Sequence, residues 1–291
     1  MKHLTEVEIQ FSYDDDGCVE WERVMEKLEP PSNLKKFDLR LWKLEYIENK
    51  GSNTGNDRQD LTTFFPSLET LEIRRLKSLK GWWREEDLVE GDDDHILRSS
   101  FTFPRLSKLV ILHCPKLTSF PSCPSLEKLD LNDMGVLKSM HNSQFLNYLH
   151  IISNEKVESL SELEDVFRKY SSTLQSLRIS YCPNLLRLGK GGLEHLTALE
   201  PLVLDRNHQL SFSEDQVADD GMPWKSLHHC LRSLTIIDCT AIKSIPESMQ
   251  NLTSLQKLEI FKCPNELKES CKQPDRKDWP NIQHIPNITI N

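Results

Sequence analysis

The apolar positions of this chain repeat one short pattern, clearest in Leu174–Leu188, LQSLRISYCPNLLRL. Leu174, Leu177, Ile179, Cys182, Leu185 and Leu188 form L-x-x-L-x-I-x-x-C-x-x-L. Alternation across Leu177 and Ile179 predicts a short strand with one apolar face. Cys182 ends it, and Pro183, which has no N–H to donate, blocks continuation of the ladder. One such unit cannot bury its apolar face alone, so it needs copies of itself on either side.

The chain supplies them. The pattern recurs at Leu106/Leu109/Ile111/Cys114/Leu117, at Leu231/Leu234/Ile236/Cys239/Ile242 and at Leu255/Leu258/Ile260/Cys263. Versions without cysteine begin at Leu68, Leu126, Leu146 and Leu199; weaker ones begin at Leu4 and Leu34, and Ile285/Ile288/Ile290 form a last partial unit. The spacing is irregular, 20 residues from Leu106 to Leu126 and 38 from Leu68 to Leu106. Cys or Asn at the strand end and Leu at the other fixed places define a leucine-rich repeat. The predicted fold is therefore α/β: a leucine-rich-repeat solenoid, a horseshoe with a concave parallel sheet and irregular loops and short helices on its convex side. Residues 1–291 make one domain of about ten irregular repeats, with 272–291 as a C-terminal capping segment in which Trp279 and the isoleucines close the end. No polar cap precedes the first repeat, so either the chain continues upstream or the first unit is frayed.

Between the strands, Val19–Leu28 has helical spacing and Pro30-Pro31 end it. Gly51–Asp60 is a polar loop, and Lys80–Ser100 is the longest insertion, in which Trp82 and Trp83 are expected to cover an edge ahead of an acidic run. Ser161 with Glu164 three residues on predicts a capping box for a short helix. Gly189-Lys190-Gly191-Gly192 lacks Walker spacing and reads as a turn before another short helix. Asp215–Gly221 is a second acidic loop, and Ile245–Met249 an outer turn.

Composition narrows the function classes. A formal net charge of −9 argues against a general nucleic-acid binder. No apolar run reaches the ~18 residues of a membrane span. The first residues alternate and turn acidic, unlike a signal peptide, so the expected location is cytoplasmic and the sequons at Asn251 and Asn287 are incidental. Of the 8 cysteines, Cys114, Cys182, Cys239 and Cys263 share one repeat slot, as reduced structural thiols would; no C-x-x-C pair exists. His228-His229-Cys230 reads as a polar turn rather than a metal corner.

No hydrolase, zinc-protease, dinucleotide or phosphate-loop motif is present, so no catalytic residue, cofactor or metal site is assigned. Function is placed instead on the concave face, at residues that alternate with the buried leucines. They are Glu72, Arg74, Leu112, Asp130, His150, Ile152, Arg178, Tyr181, Asp205, Arg206, Ile237, Asp238, Glu259, Phe261 and Lys262, with Val110, Asn132, Ser180, Val203 and Thr235 between them. Apolar anchors mixed with charge fit a protein interface.

With the repeats laid out, the chain resembles the C-terminal leucine-rich-repeat region of plant intracellular nucleotide-binding disease-resistance proteins of the coiled-coil class. The residues that carry the likeness are LEPPSNLKKFDLRLW (Leu28–Trp42), the C-P units at Leu106 and Leu174, SIPESMQNLTSLQKLEIFKCP (Ser244–Pro264) and DWPNIQHIPNITI (Asp278–Ile290). The resemblance implies recognition of a pathogen effector or a guarded host protein, and restraint of a nucleotide-binding domain of the same receptor in cis or trans. The coiled coil and the nucleotide-binding region are absent from this sequence, so nucleotide binding does not carry over. The alternative is a stand-alone repeat adaptor, such as the substrate-reading part of a ubiquitin ligase.

Overall fold

The computed structural model describes residues 5–10, 33–40, 44–47, 65–82, 103–140, 143–212, 223–272 and 276–291. The helix expected over Val19–Leu28, the loop Gly51–Asp60, Trp83 with the acidic run after it and the loop Asp215–Gly221 lie outside them. Contacts divide the chain into two compact units, Met1–Phe145 and Leu146–Asn291.

The first unit holds five strands, β1 (Glu6–Gln10), β2 (Lys36–Arg40), β3 (Thr70–Arg74), β4 (Lys108–Leu112) and β5 (Lys128–Leu131). Each pairs in parallel with the next, so the same repeat position stacks on itself, Val7 beside Phe37, Leu71, Leu109 and Leu129 in turn. An aromatic series runs from β2 into the return segments behind the strands: Phe37 lies 5.4 Å from Phe65, Phe65 6.3 Å from Phe103, and Phe103 5.7 Å from Trp82. Trp82 is buried and donates its indole N–H to the Ser119 carbonyl at 2.9 Å. It is thus a core residue and not the edge cover that its place in a long insertion implied; the buried N–H has its partner, which removes the usual cost of burying indole.

The second unit holds six, β6 (Tyr148–Ile152), β7 (Ser176–Ser180), β8 (Pro201–Asp205), β9 (Ser233–Ile237), β10 (Lys257–Phe261) and β11 (Asn287–Ile290). Parallel pairing aligns Leu149, Leu177, Leu202, Leu234, Leu258 and Ile288, and beside them Ile151, Ile179, Leu204, Ile236, Ile260 and Ile290. Leu149 through Leu258 and Ile151 through Ile260 are buried, each worth about 1.5–3 kcal/mol relative to exposure. The partial repeat at Ile285 forms the last strand, as its spacing predicts.

Strand exits share one conformation. Arg75, His113, Ser153, Tyr181, Arg206, Asp238 and Lys262 all take φ between 52 and 62° and swing the chain off the sheet into the body. All but His113 donate their N–H to a carbonyl at the end of the neighbouring strand, for example Arg206 to Ile237 at 2.7 Å and Asp238 to Phe261 at 2.8 Å, with Lys262 reaching Asn291 just past β11 at 3.0 Å. That bond offsets the left-handed strain of a residue with a Cβ. The residue after each exit fills the buried slot: Cys114, Cys182, Cys239 and Cys263, with Leu76, Asn154 and Asn207 in other repeats. The exit of β5 differs because Asp133 caps a helix (Met134–Lys138), accepting from the Gly135 N–H at 2.7 Å.

Short helices fill the return segments. The capping box lies two residues earlier than the sequence pattern indicated: Ser159 caps a 3-10 turn (Leu160–Leu163), and Glu162 accepts from the Ser159 N–H at 3.2 Å. Glu164 opens the α-helix that follows (Glu164–Lys169) and pairs instead with Arg168 and with His195 at 3.3 Å. The glycine run is not a turn ahead of a helix but the helix itself, Lys190–Leu193, with Gly189 as its cap at φ 69°.

Candidate functional site

Alternation leaves one face of the strands in each unit clear of the core, and there the expected recognition residues lie. In the first unit this face carries stripes of opposite charge. Glu8, Asp38, Glu72 and Asp130 take the same place in their strands, interrupted by Val110, which is buried despite being expected on the surface. Arginines two residues on neutralise two of them through forked pairs, Arg40 on Asp38 (3.0 Å) and Arg74 on Glu72 (2.9 Å), and Lys108 adds a 3.8 Å contact to Glu72. Leu112, the register neighbour of Arg74, is half-buried.

In the second unit the face is organised around Asp205. Its side chain is only 5% exposed, against the expectation of a surface contact, because two guanidiniums lie over it. Arg178 Nη2 is 2.5 Å from Asp205 Oδ2, and Arg206 Nη1 is 3.6 Å from Oδ1. Arg206 also stacks on the Tyr181 ring, 4.9 Å from its centroid, donates to the Tyr181 hydroxyl, and places Nε 3.5 Å from Asp238. Arg178 Nε donates to Ser180 Oγ at 3.1 Å, and that buried hydroxyl is also 3.1 Å from His150 Nε2. Six of the predicted residues, His150, Arg178, Tyr181, Asp205, Arg206 and Asp238, therefore form one connected network, joined by Ser180.

Ile237 and Phe261 sit side by side on β9 and β10, both half-buried. Thr235 donates to Glu259 at 3.2 Å, Glu259 pairs with Lys257 at 2.9 Å, and Lys262 is exposed at its strand exit. Ile152 is half-buried at the other end of the network, on β6. Tyr181, 44% exposed, is among the most exposed large apolar side chains on this unit.

The thiols are not placed for chemistry. Burial pushes Cys114, Cys182 and Cys271 up to about 11 and Cys239 to about 12, so each is a neutral thiol at neutral pH. His228 Nδ1 donates to the Lys225 carbonyl (2.8 Å) and Cys230 donates to the Leu196 carbonyl (3.3 Å), as parts of an ordinary turn. Among the described residues no group of three or more His, Cys, Asp or Glu is placed to hold a metal ion, and no helix is long and apolar enough to cross a membrane.

One residue that the sequence reading passed over organises the C-terminal segment. Asp278, buried, accepts from the Ile245 N–H at 2.8 Å and from Ser270 Oγ at 2.7 Å, tying the Trp279–Ile282 helix to the preceding repeat. Its only sequence signal is its place directly before the Trp-Pro pair.

Stacked parallel strands, left-handed exits and Leu/Cys/Asn slots define a leucine-rich-repeat solenoid. Its homologues are plant disease-resistance proteins. A putative disease resistance protein RGA4 from Solanum bulbocastanum is 32% identical over 252 residues, 85% of this chain and 23% of that protein. Disease resistance protein RPP8 from Arabidopsis thaliana is 31% identical over 119 residues, 40% of this chain and 12% of that protein. Disease resistance protein RPH8A, also from Arabidopsis thaliana, is 35% identical over 100 residues, 34% and 10% respectively. The chain thus spans less than a quarter of the length of these relatives. No protein-family model matches it. Among solved structures, the match to a TLR13–ssRNA13 complex covers 80% of this chain and 46% of that chain at TM-score 0.36 and 18% identity.

Proposed function

We propose that this repeat region is a non-enzymatic protein-recognition module of a plant immune receptor, working in the cytoplasm. It binds a pathogen effector or a guarded host protein through the open face of its sheet. It also restrains a nucleotide-binding switch carried by the same receptor, in cis or in trans. The observation that carries this reading is the homology to disease-resistance proteins along 85% of the chain. The make-up of the open face, which carries Arg40, Arg74, Arg178, Arg206 and Tyr181, supports it, since Arg and Tyr are among the residue types that dominate the energetics of protein interfaces.

The test replaces the open-face residues as a set, from Glu72 to Lys262, in the full-length gene product and follows partner capture and cell-death output in leaf tissue. The expected result is loss of capture together with altered output, either silence or constitutive signalling. Unchanged capture and unchanged output would overturn the proposal.

A further inference from the structure

Building on the reading of the open face as a protein-binding surface, we propose that Arg178 and Arg206 form a preorganised clamp for an acidic side chain, Asp or Glu, of the protein partner. Two guanidiniums from neighbouring repeats rest on one buried carboxylate, at 2.5 Å for Arg178 and 3.6 Å for Arg206. Further contacts hold each in place: Arg178 Nε on Ser180 Oγ, and Arg206 on the Tyr181 ring and against Asp238. The rotamer entropy of two long side chains is therefore lost before any partner arrives, which lowers the cost of binding.

The contacts do not exhaust the donors. An arginine carries five N–H groups. The network engages Nε and Nη2 of Arg178 and Nε and Nη1 of Arg206, leaving Arg178 Nη1 and Arg206 Nη2 without a partner among the described residues. Both arginine side chains remain about a third exposed, at 36% and 35%, whereas Asp205 beneath them is 5% exposed. Over Asp205 the charges are layered, acid below and guanidinium outward, so an anion approaching there meets donors first; Asp238, 32% exposed, stands beside Arg206 rather than beneath it.

The same layering selects the class of anion. Asp205 and Asp238 balance the two guanidiniums, and the cluster has no surplus charge with which to hold a dianionic phosphate. A monoanionic carboxylate needs only one guanidinium fork and suffers less repulsion than a dianion from Asp205 beneath and Asp238 beside it. Ile152, Ser180, Asp205 and Ile237 are register neighbours in successive strands, so an isoleucine lies on each side of the clamp. The matching ligand is an Asp or Glu with apolar residues flanking it.

A short-peptide phage library selected on the full chain tests this. The expected binders contain an Asp or Glu between apolar residues. Changing that acid to its amide weakens binding to the parent chain by about tenfold. The same change has no effect on a chain carrying Arg178→Met and Arg206→Met, whose fold is checked by circular dichroism. The peptide change is made against the unaltered protein, so misfolding of the arginine variant cannot mimic the result. Binders that map to the open face but lack an essential acid would overturn the clamp and leave the recognition face standing. Selection of no binder, or only of binders insensitive to every open-face substitution, would overturn both.

Discussion

The side chain of Asn207 reaches into the preceding repeat and closes both backbone groups beside Cys182. Its Oδ1 accepts from the Cys182 N–H at 3.0 Å, and its Nδ2 donates to the Ile179 carbonyl at 2.9 Å. Cys239, in the same slot one repeat on, makes the matching contacts with a weaker group: its thiol donates to the equivalent Leu204 carbonyl at 3.7 Å, and its sulfur accepts from the Asn207 N–H. Cys263 does the same to Ile236, at 3.9 Å. Asn and Cys alternate in this slot because both are small and both bring a donor.

Asn207→Ala should therefore cost about 3 kcal/mol, since it leaves a buried N–H and a buried carbonyl without partners. Asn207→Cys should recover part of that loss by restoring the donor. Denaturant titration gives the cost, and amide exchange at Cys182 gives its location. An alanine variant within about 0.5 kcal/mol of the parent, the range of a neutral surface change, would refute the bridging role.

Gly192 is held to a single residue type by contact rather than by conformation. A Cβ there would lie 2.5 Å from the Leu160 carbonyl oxygen, a backbone atom of the capped 3-10 turn. Gly192→Ala should force the Lys190–Leu193 helix away from that turn and cost about 1–3 kcal/mol, as overpacking of a tight contact does. Gly191→Ala is the comparison, because its Cβ would meet only the movable Glu164 carboxylate at 3.3 Å. Similar melting temperatures for the two variants would show that the close approach is not a constraint.

The strands were legible in the sequence because their signal is local: two alternating apolar residues, a small residue at the exit and a proline or turn-former after it. Parallel stacking followed from the repeat itself, since identical units in register place Leu177 beside Leu149 and Leu202. What was not legible depends on partners distant in sequence. Asp205 looks like any surface carboxylate until Arg178, 27 residues earlier, lies across it. Trp82 looks like edge cover until Ser119 satisfies its indole. The capping box was misplaced because Ser159 and Ser161 each stand three residues before a glutamate, and only the fold selects Ser159. Asp278 has only its place before the Trp-Pro pair to mark it; its role exists through Ile245 and Ser270.

Asp278→Ala gives the C-terminal segment a direct test. The carboxylate holds the Ile245 N–H and the Ser270 hydroxyl, and hydrogen bonds to a charged group are worth about 1.5–3 kcal/mol each. The variant should lose amide protection at Ile245 and along Asn287–Ile290, while protection in β6 and β7 stays near that of the parent, because contacts in a solenoid reach only neighbouring repeats. A uniform loss across all strands of this unit would mean that the segment does not behave as a local cap.

The buried thiols set an alkaline limit on stability. Burial raises Cys239 from 9.0 to about 12, and Cys182 to about 11, because the thiolate is poorly solvated inside the repeat. Between those values and 9.0 the folded chain keeps protons that the unfolded chain has released, so rising pH favours unfolding. The contribution is fully present below about pH 9 and is lost as pH climbs through the folded values. Cys239→Ala removes one such group. Its unfolding free energy should fall less steeply than the parent's above about pH 9, by up to about 1.4 kcal/mol per pH unit, whatever the alanine costs at neutral pH. Parallel pH profiles for the two chains would show that Cys239 titrates alike in the folded and unfolded states, and its slot would then have to be open to water.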